Sequence, residues 1–114
     1  MRLISARWLG LGAAFLALGL VPPASADDLP DIVITIKGGH FVPTEVPVPA
    51  GQKVKLIVRN QDSTTSEFES SDFHREKVVA PGGEITVYVG PLDAGSYEFF
   101  DDFHPEDRGH LVVK

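Results

Sequence analysis

Three stretches of this chain alternate apolar and polar side chains with a period of two, and few folds accept that pattern. Ile32, Ile34 and Ile36 are interleaved with Val33, Thr35 and Lys37. Val54, Leu56 and Val58 alternate with Lys53, Lys55 and Arg59, and Ile85, Val87 and Val89 with Glu84, Thr86 and Tyr88. Successive side chains of an extended strand point to opposite faces, so each stretch reads as a strand with one buried face. From Asp27 onward the chain holds 17 Val or Ile against 4 Leu and 3 Ala, a balance that favours strands over helices. Turn signals separate the runs: Gly38-Gly39, Pro49-Ala50-Gly51, Pro81-Gly82-Gly83, Gly90-Pro91 and Ala94-Gly95.

Pro43 and Pro47 donate no ladder hydrogen bond, which confines Phe41–Val48 to an edge or irregular strand. The run Leu92-Asp93-Ala94-Gly95-Ser96-Tyr97 has the form of a tyrosine corner, where a Tyr hydroxyl bonds back to the backbone. Six to eight short strands at this spacing predict an all-β fold, an antiparallel Greek-key β-sandwich without a long helix.

The amino terminus has a different character. Arg2 and Arg7 form a basic start, Trp8 to Val21 is nearly all apolar, and Ala24-Ser25-Ala26 has the small-x-small form of a signal-peptidase site. Residues 1–26 therefore read as a cleaved signal peptide and 27–114 as the working domain, exported to a periplasm. The apolar run is too short for a membrane span, which takes ~20 residues.

Charge and sulfur narrow the function. The chain carries 10 Lys+Arg against 16 Asp+Glu, and from Asp27 onward 8 against 16, a net charge of −8. That balance excludes a nucleic-acid binder, which needs clustered cations. With no Cys there is no disulfide, thiolate zinc site, iron–sulfur cluster or Cys nucleophile. A type 1 blue copper centre is excluded as well, because its chromophore is a copper–thiolate bond. The single Met is Met1, so any metal on the mature chain must be held by carboxylate and imidazole. No Gly-rich phosphate loop or Gly-x-Ser-x-Gly elbow occurs, and no His–Asp pair is positioned to activate Ser63, Thr64, Thr65 or Ser66. The expectation is a protein without enzymatic activity of its own.

From Ile32 to Lys114 the chain resembles a small cupredoxin domain. The resemblance is carried by HFVPTEVPVPAGQKVKLIVRNQDSTTSEFE (His40–Glu69), APGGEITVYVGPLDAGSYEFF (Ala80–Phe100) and FHPEDRGHLVVK (Phe103–Lys114). More narrowly it is similar to the EfeO-type domains found with periplasmic ferrous-iron uptake systems. Electron-transfer members place a first His shortly after the Asn ending a central strand; after Asn60 this chain offers Glu67. Their Tyr-x-Phe-x-Cys-x-x-His pattern becomes Tyr97-Glu98-Phe99-Phe100-Asp101-Asp102-Phe103-His104, so Asp101 stands for the Cys and His104 keeps the imidazole. The axial Met has no counterpart.

The resemblance thus implies a site of Glu67, Asp101 and His104, with Glu69, Asp102 or Glu106 filling open positions. Two carboxylates and an imidazole suit Cu(II), Fe(II)/Fe(III) or Mn(II). His110 is expected to point outward and His74 to lie on the surface, while nothing in the sequence places His40. Phe100 and Phe103 are expected to offer an exposed docking patch. The implied role is a metal-binding accessory, for Cu(II) or iron, that supports periplasmic ferrous-iron uptake or Fe(II) oxidation with a ferrous-iron permease and its periplasmic partner proteins. A metal-free β-sandwich serving as an interaction module is the alternative.

Overall fold

The alternating stretches form two packed sheets in the computed structural model, which describes residues 29–114. The signal-peptide reading of residues 1–26 lies outside them. One sheet has four strands. Its centre is β1 (Asp31–Lys37) beside β4 (Val54–Asn60), flanked by β2 (His40–Val42) and β7 (Glu84–Val89). The other has five strands, in the order β3 (Glu45–Val48), β9 (His104–Val113), β8 (Gly95–Asp101), β5 (Ser66–Ser70) and β6 (Arg75–Val79). No helix is present among the described residues.

The strand faces fall as the alternation requires. Ile34, Leu56, Val58, Val87 and Val89 are buried from the four-stranded sheet, and Phe68, Phe99, Leu111 and Val113 from the five-stranded one. Phe99 is the hub of the core, with Phe41 edge-on at 4.9 Å between centroids and Phe68 tilted at 5.3 Å. The Tyr97 hydroxyl donates to the Asp93 carbonyl at 2.9 Å, completing the expected tyrosine corner.

Two features differ from expectation. The sheets are mixed, because β1 pairs parallel with β4 and β3 parallel with β9. Side-chain alternation is the same in parallel and antiparallel strands, so the pattern that revealed the strands could not show their directions. The prolines also split the Phe41–Val48 stretch in two. β2 stays at the edge of one sheet and β3 crosses to the edge of the other, which raises the count to nine strands among the described residues.

Two local devices matter later. Gly38 and Gly39, both at positive φ (62° and 74°), make the two-residue turn joining Lys37 to His40, as a type I′ hairpin requires. The Asp62 carboxylate, on the loop after β4, accepts from both of their backbone N–H groups at 2.7 and 2.8 Å and ties the hairpin tip down. Asp62 is itself held, since its N–H donates to the Asn60 side chain. Along the open side of the sandwich, the Arg75 guanidinium donates to Tyr88 O at 2.9 Å and Lys77 Nζ to Thr86 O at 3.4 Å, so β6 covers the free edge of β7.

Candidate metal centre

The inward series Phe99–Asp101 on β8 carries the core face to a carboxylate, and Asp101 is only 1% exposed. A buried carboxylate is costly unless hydrogen-bonded, and this one is fully provided for. Oδ1 accepts from the Glu67 N–H at 2.9 Å and the Phe103 N–H at 3.0 Å. Oδ2 lies 2.9 Å from His104 Nδ1, and the Ser66 hydroxyl bonds the same carboxylate. The contact to His104 is local in origin: Asp102-Phe103 reverses the chain so that Asp101 and His104 pair across the β8–β9 turn.

A second carboxylate comes from β9. Leu111, Gly109 and Asp107 alternate inward in one phase, leaving Asp107 only 7% exposed. A ring nitrogen of His104 and one oxygen each from Asp101 and Asp107 lie within 4.8 Å of one another. Asp107, unlike Asp101, takes no hydrogen bond to its carboxylate among the described residues. His40 at the start of β2 brings its Nδ1 to 3.9 Å from Asp107 Oδ1.

The electrostatics follow from these contacts. Burial pushes the Asp101 carboxyl up, but the bonds from Glu67 N–H, His104, Ser66 and Phe103 N–H outweigh it, leaving Asp101 below the usual carboxylate range. The hydrogen bond to Asp101 raises His104 above an ordinary imidazole against a smaller effect of burial. Burial, reinforced by the Glu106 charge, raises Asp107.

Asp101 and His104 stand together as expected, and Glu67 does not join them. Ser66 and Phe68 face the core, so the Glu67 side chain between them faces out and only its backbone N–H reaches Asp101. Its carboxylate belongs to a separate strip on the outer face with Glu69 and Glu76. Burial first, then the charges of neighbours including Asp102 and Glu76, raises both Glu67 and Glu69. Asp102 is therefore a member of that outer strip, and Glu106 is exposed beside Asp107. His110 pairs with Glu98 at 3.8 Å on the outer face, and exposed His74 occupies a left-handed turn (φ 56°). Phe103 is 49% exposed, whereas Phe100 is half-buried under Arg108, 5.0 Å from its ring centroid.

Asp107, Ser66 and His40 were missed by the sequence reading. Counting back in steps of two from Leu111 finds Asp107, and from Phe68 finds Ser66; only the hairpin geometry places His40. The donor set suits a borderline or hard cation, with imidazole and carboxylate and no sulfur.

Comparison with known proteins agrees with this architecture. A family model described as a cupredoxin-like domain matches residues 10–113. An uncharacterized protein of Rickettsia prowazekii (strain Madrid E) is 44% identical over 93 residues, covering 81% of this chain and 74% of that one. Among solved structures, amicyanin from Paracoccus versutus superposes with a TM-score of 0.60 at 22% identity, over 82% of this chain and 92% of its own. The metal-binding domain of a Streptococcus pneumoniae Cu(I)-exporting P-type ATPase, solved with Cu(I), gives a TM-score of 0.65 at 14% identity, over 74% and 84%. At these identities the solved structures bear on the fold alone.

Proposed function

This chain belongs to the cupredoxin-like domain family, and from that premise we propose that it is a metal-binding protein taking Cu(II) or iron where Asp101, His104 and Asp107 gather. The observation that carries the proposal is Asp107. It is a carboxylate 7% exposed, beside an imidazole and without a hydrogen bond of its own among the described residues. No fully buried side-chain oxygen lacks a partner among the described residues, so the Asp107 carboxylate keeps contact with solvent, and a cation could reach it from there. Copper is considered because a fold neighbour, the Streptococcus pneumoniae domain, was solved with Cu(I), although that likeness bears on the fold and the choice of metal rests on the donors. Cu(I) itself is ill-suited here, because it prefers the thiolate and thioether donors this chain lacks from Asp27 onward. Imidazole and carboxylate favour Cu(II), and they accept iron equally well.

The wider role we propose is an exported accessory of the EfeO type, acting in the periplasm with a ferrous-iron permease and its partners. Iron enters this reading through the oxygen-rich donor set and the sequence resemblance.

The test is retention of metal. The protein is incubated with Cu(II), Fe(II) or Mn(II), desalted and assayed for bound metal. About one equivalent should be retained, lost in Asp107→Asn and kept in Glu67→Gln. Loss in Glu67→Gln alone would move binding to the outer strip, and no retained metal would leave the metal-free interaction module. The copper complex should be pale with a type 2 electron paramagnetic resonance signal; an intense blue band would contradict the ligand set.

A further inference from the structure

Asp101 is already engaged through both carboxylate oxygens, which makes it a poor ligand for an ion. A carboxylate offers about four lone-pair sites, and here the Glu67 and Phe103 N–H groups take Oδ1 while His104 Nδ1 takes Oδ2. His104 correspondingly gives Nδ1 to Asp101 and keeps Nε2. A carboxylate that holds one imidazole nitrogen fixes the tautomer and orients the other nitrogen, the usual arrangement behind a metal-ligating His.

The opposite relation holds between His40 and Asp107. Their 3.9 Å separation is too long for a hydrogen bond. Two ligands of a single borderline ion, each ~2.0–2.2 Å from it, lie about 3.0–4.4 Å apart. That spacing fits two ligands of one ion, and it is also the spacing of a long ion pair if His40 is protonated. The His40 backbone is held, because it follows the Gly38-Gly39 turn whose N–H groups the Asp62 carboxylate pins, while its side chain is 78% exposed and stands just outside the Asp101–His104–Asp107 cluster. An ideal Cβ on Gly39 would sit 3.9 Å from Asp107 Oδ2, which shows how closely the hairpin tip approaches this carboxylate.

We infer that His40, Asp107 and His104 Nε2 are the metal ligands, and that Asp101 is a positioning residue that selects the His104 tautomer. The inference rests on the metal-binding reading of this pole. It adds a ligand from β2, in the opposite sheet, so the ion would join the two sheets at one end of the sandwich.

Calorimetry with Cu(II) and electron paramagnetic resonance of the complex test the ligands. Wild type should bind one equivalent with superhyperfine coupling to two imidazole nitrogens. His40→Ala should bind about tenfold or more weakly, the scale set by loss of even outer-shell partners, and show one nitrogen. His110→Ala should match wild type. One nitrogen in wild type with unchanged affinity in His40→Ala would overturn the inference and leave the metal reading standing; no stoichiometric binding by wild type would overturn the reading itself. The positioning role is read without metal, from long-range proton–nitrogen NMR at a pH above the His104 titration. Wild-type His104 should carry its proton on Nδ1, and Asp101→Asn should shift it to Nε2. Should Asp101→Asn fail to fold, wild type alone decides, because an Nε2–H tautomer there overturns the assignment.

Discussion

Gly109 has no room for a side chain, and the cost of giving it one can be worked out. An ideal Cβ at this position would lie 2.5 Å from Phe99 Cζ, 2.7 Å from Phe99 Cε1 and 2.8 Å from Thr44 O. Ordinary contact between carbons is about 3.5–4.0 Å, so the ring would have to retreat by roughly 1 Å. It cannot do so cheaply, because Phe41 stands edge-on to it at 4.9 Å and Phe68 closes another side at 5.3 Å. Thr44 O is tied as well, accepting from the His110 N–H at 2.8 Å in the link between β3 and β9. Overpacking of this kind costs about 1–3 kcal/mol, against a gain of about 0.4–1 kcal/mol from stiffening the unfolded chain. Gly109→Ala should therefore destabilise by about 1–2 kcal/mol. With a urea m-value of about 1 kcal/mol per molar, the midpoint falls by about 1–2 M at unchanged m. Phe99→Leu, which withdraws the ring, should recover part of the loss in the double variant and give a coupling energy of about 1 kcal/mol. A Gly109→Ala midpoint at or above wild type, or strict additivity with Phe99→Leu, would refute the packing argument.

Other expectations follow from single contacts. Tyr97→Phe removes the bond to Asp93 O and should cost about 0.5–1.5 kcal/mol by urea titration. Asp62→Ala leaves the Gly38 and Gly39 N–H groups unpartnered, so their hydrogen exchange should accelerate while that of β4 holds. In metal-free protein His104 should titrate above ~6.5 by NMR and drop toward it in Asp101→Asn. Because the folded His104 value is raised, its stabilisation is complete below ~6.5 and fades as pH climbs through the raised value. Asp101 has the opposite sign: its folded value is lowered, so its stabilisation holds above 3.8 and is lost as pH falls through the lowered value, checked by urea midpoints across pH.

The fold was legible because burial and sequence share one period. Ile34, Leu56, Val58 and Val87 show their faces by alternation alone, and the Leu92–Tyr97 run announces its corner. Strand direction left no such mark, so the parallel pairings of β1 with β4 and β3 with β9 went unseen. The site was half legible for a related reason. Asp101 and His104 are near in sequence and meet through one tight turn, whereas β5 meets β8 across 34 positions, where an error of one residue swaps Ser66 for Glu67 and reverses the face. His40 reaches Asp107 only through the hairpin and its Asp62 anchor, which no local pattern encodes.

The seam where Arg75 and Lys77 lie across β7 has a consequence for other molecules. A sandwich that does not close into a barrel leaves backbone carbonyls facing outward, and a strand from another chain could extend the sheet by donating to them. Here the Tyr88 and Thr86 carbonyls already accept from side chains of the same molecule, and an arriving strand must first displace two cations. Lateral polymerisation is thus opposed by side chains rather than by a closing strand. Shortening both, as in Arg75→Ala with Lys77→Ala, would leave the interior untouched yet give crowded solutions of the protein a template for fibre growth.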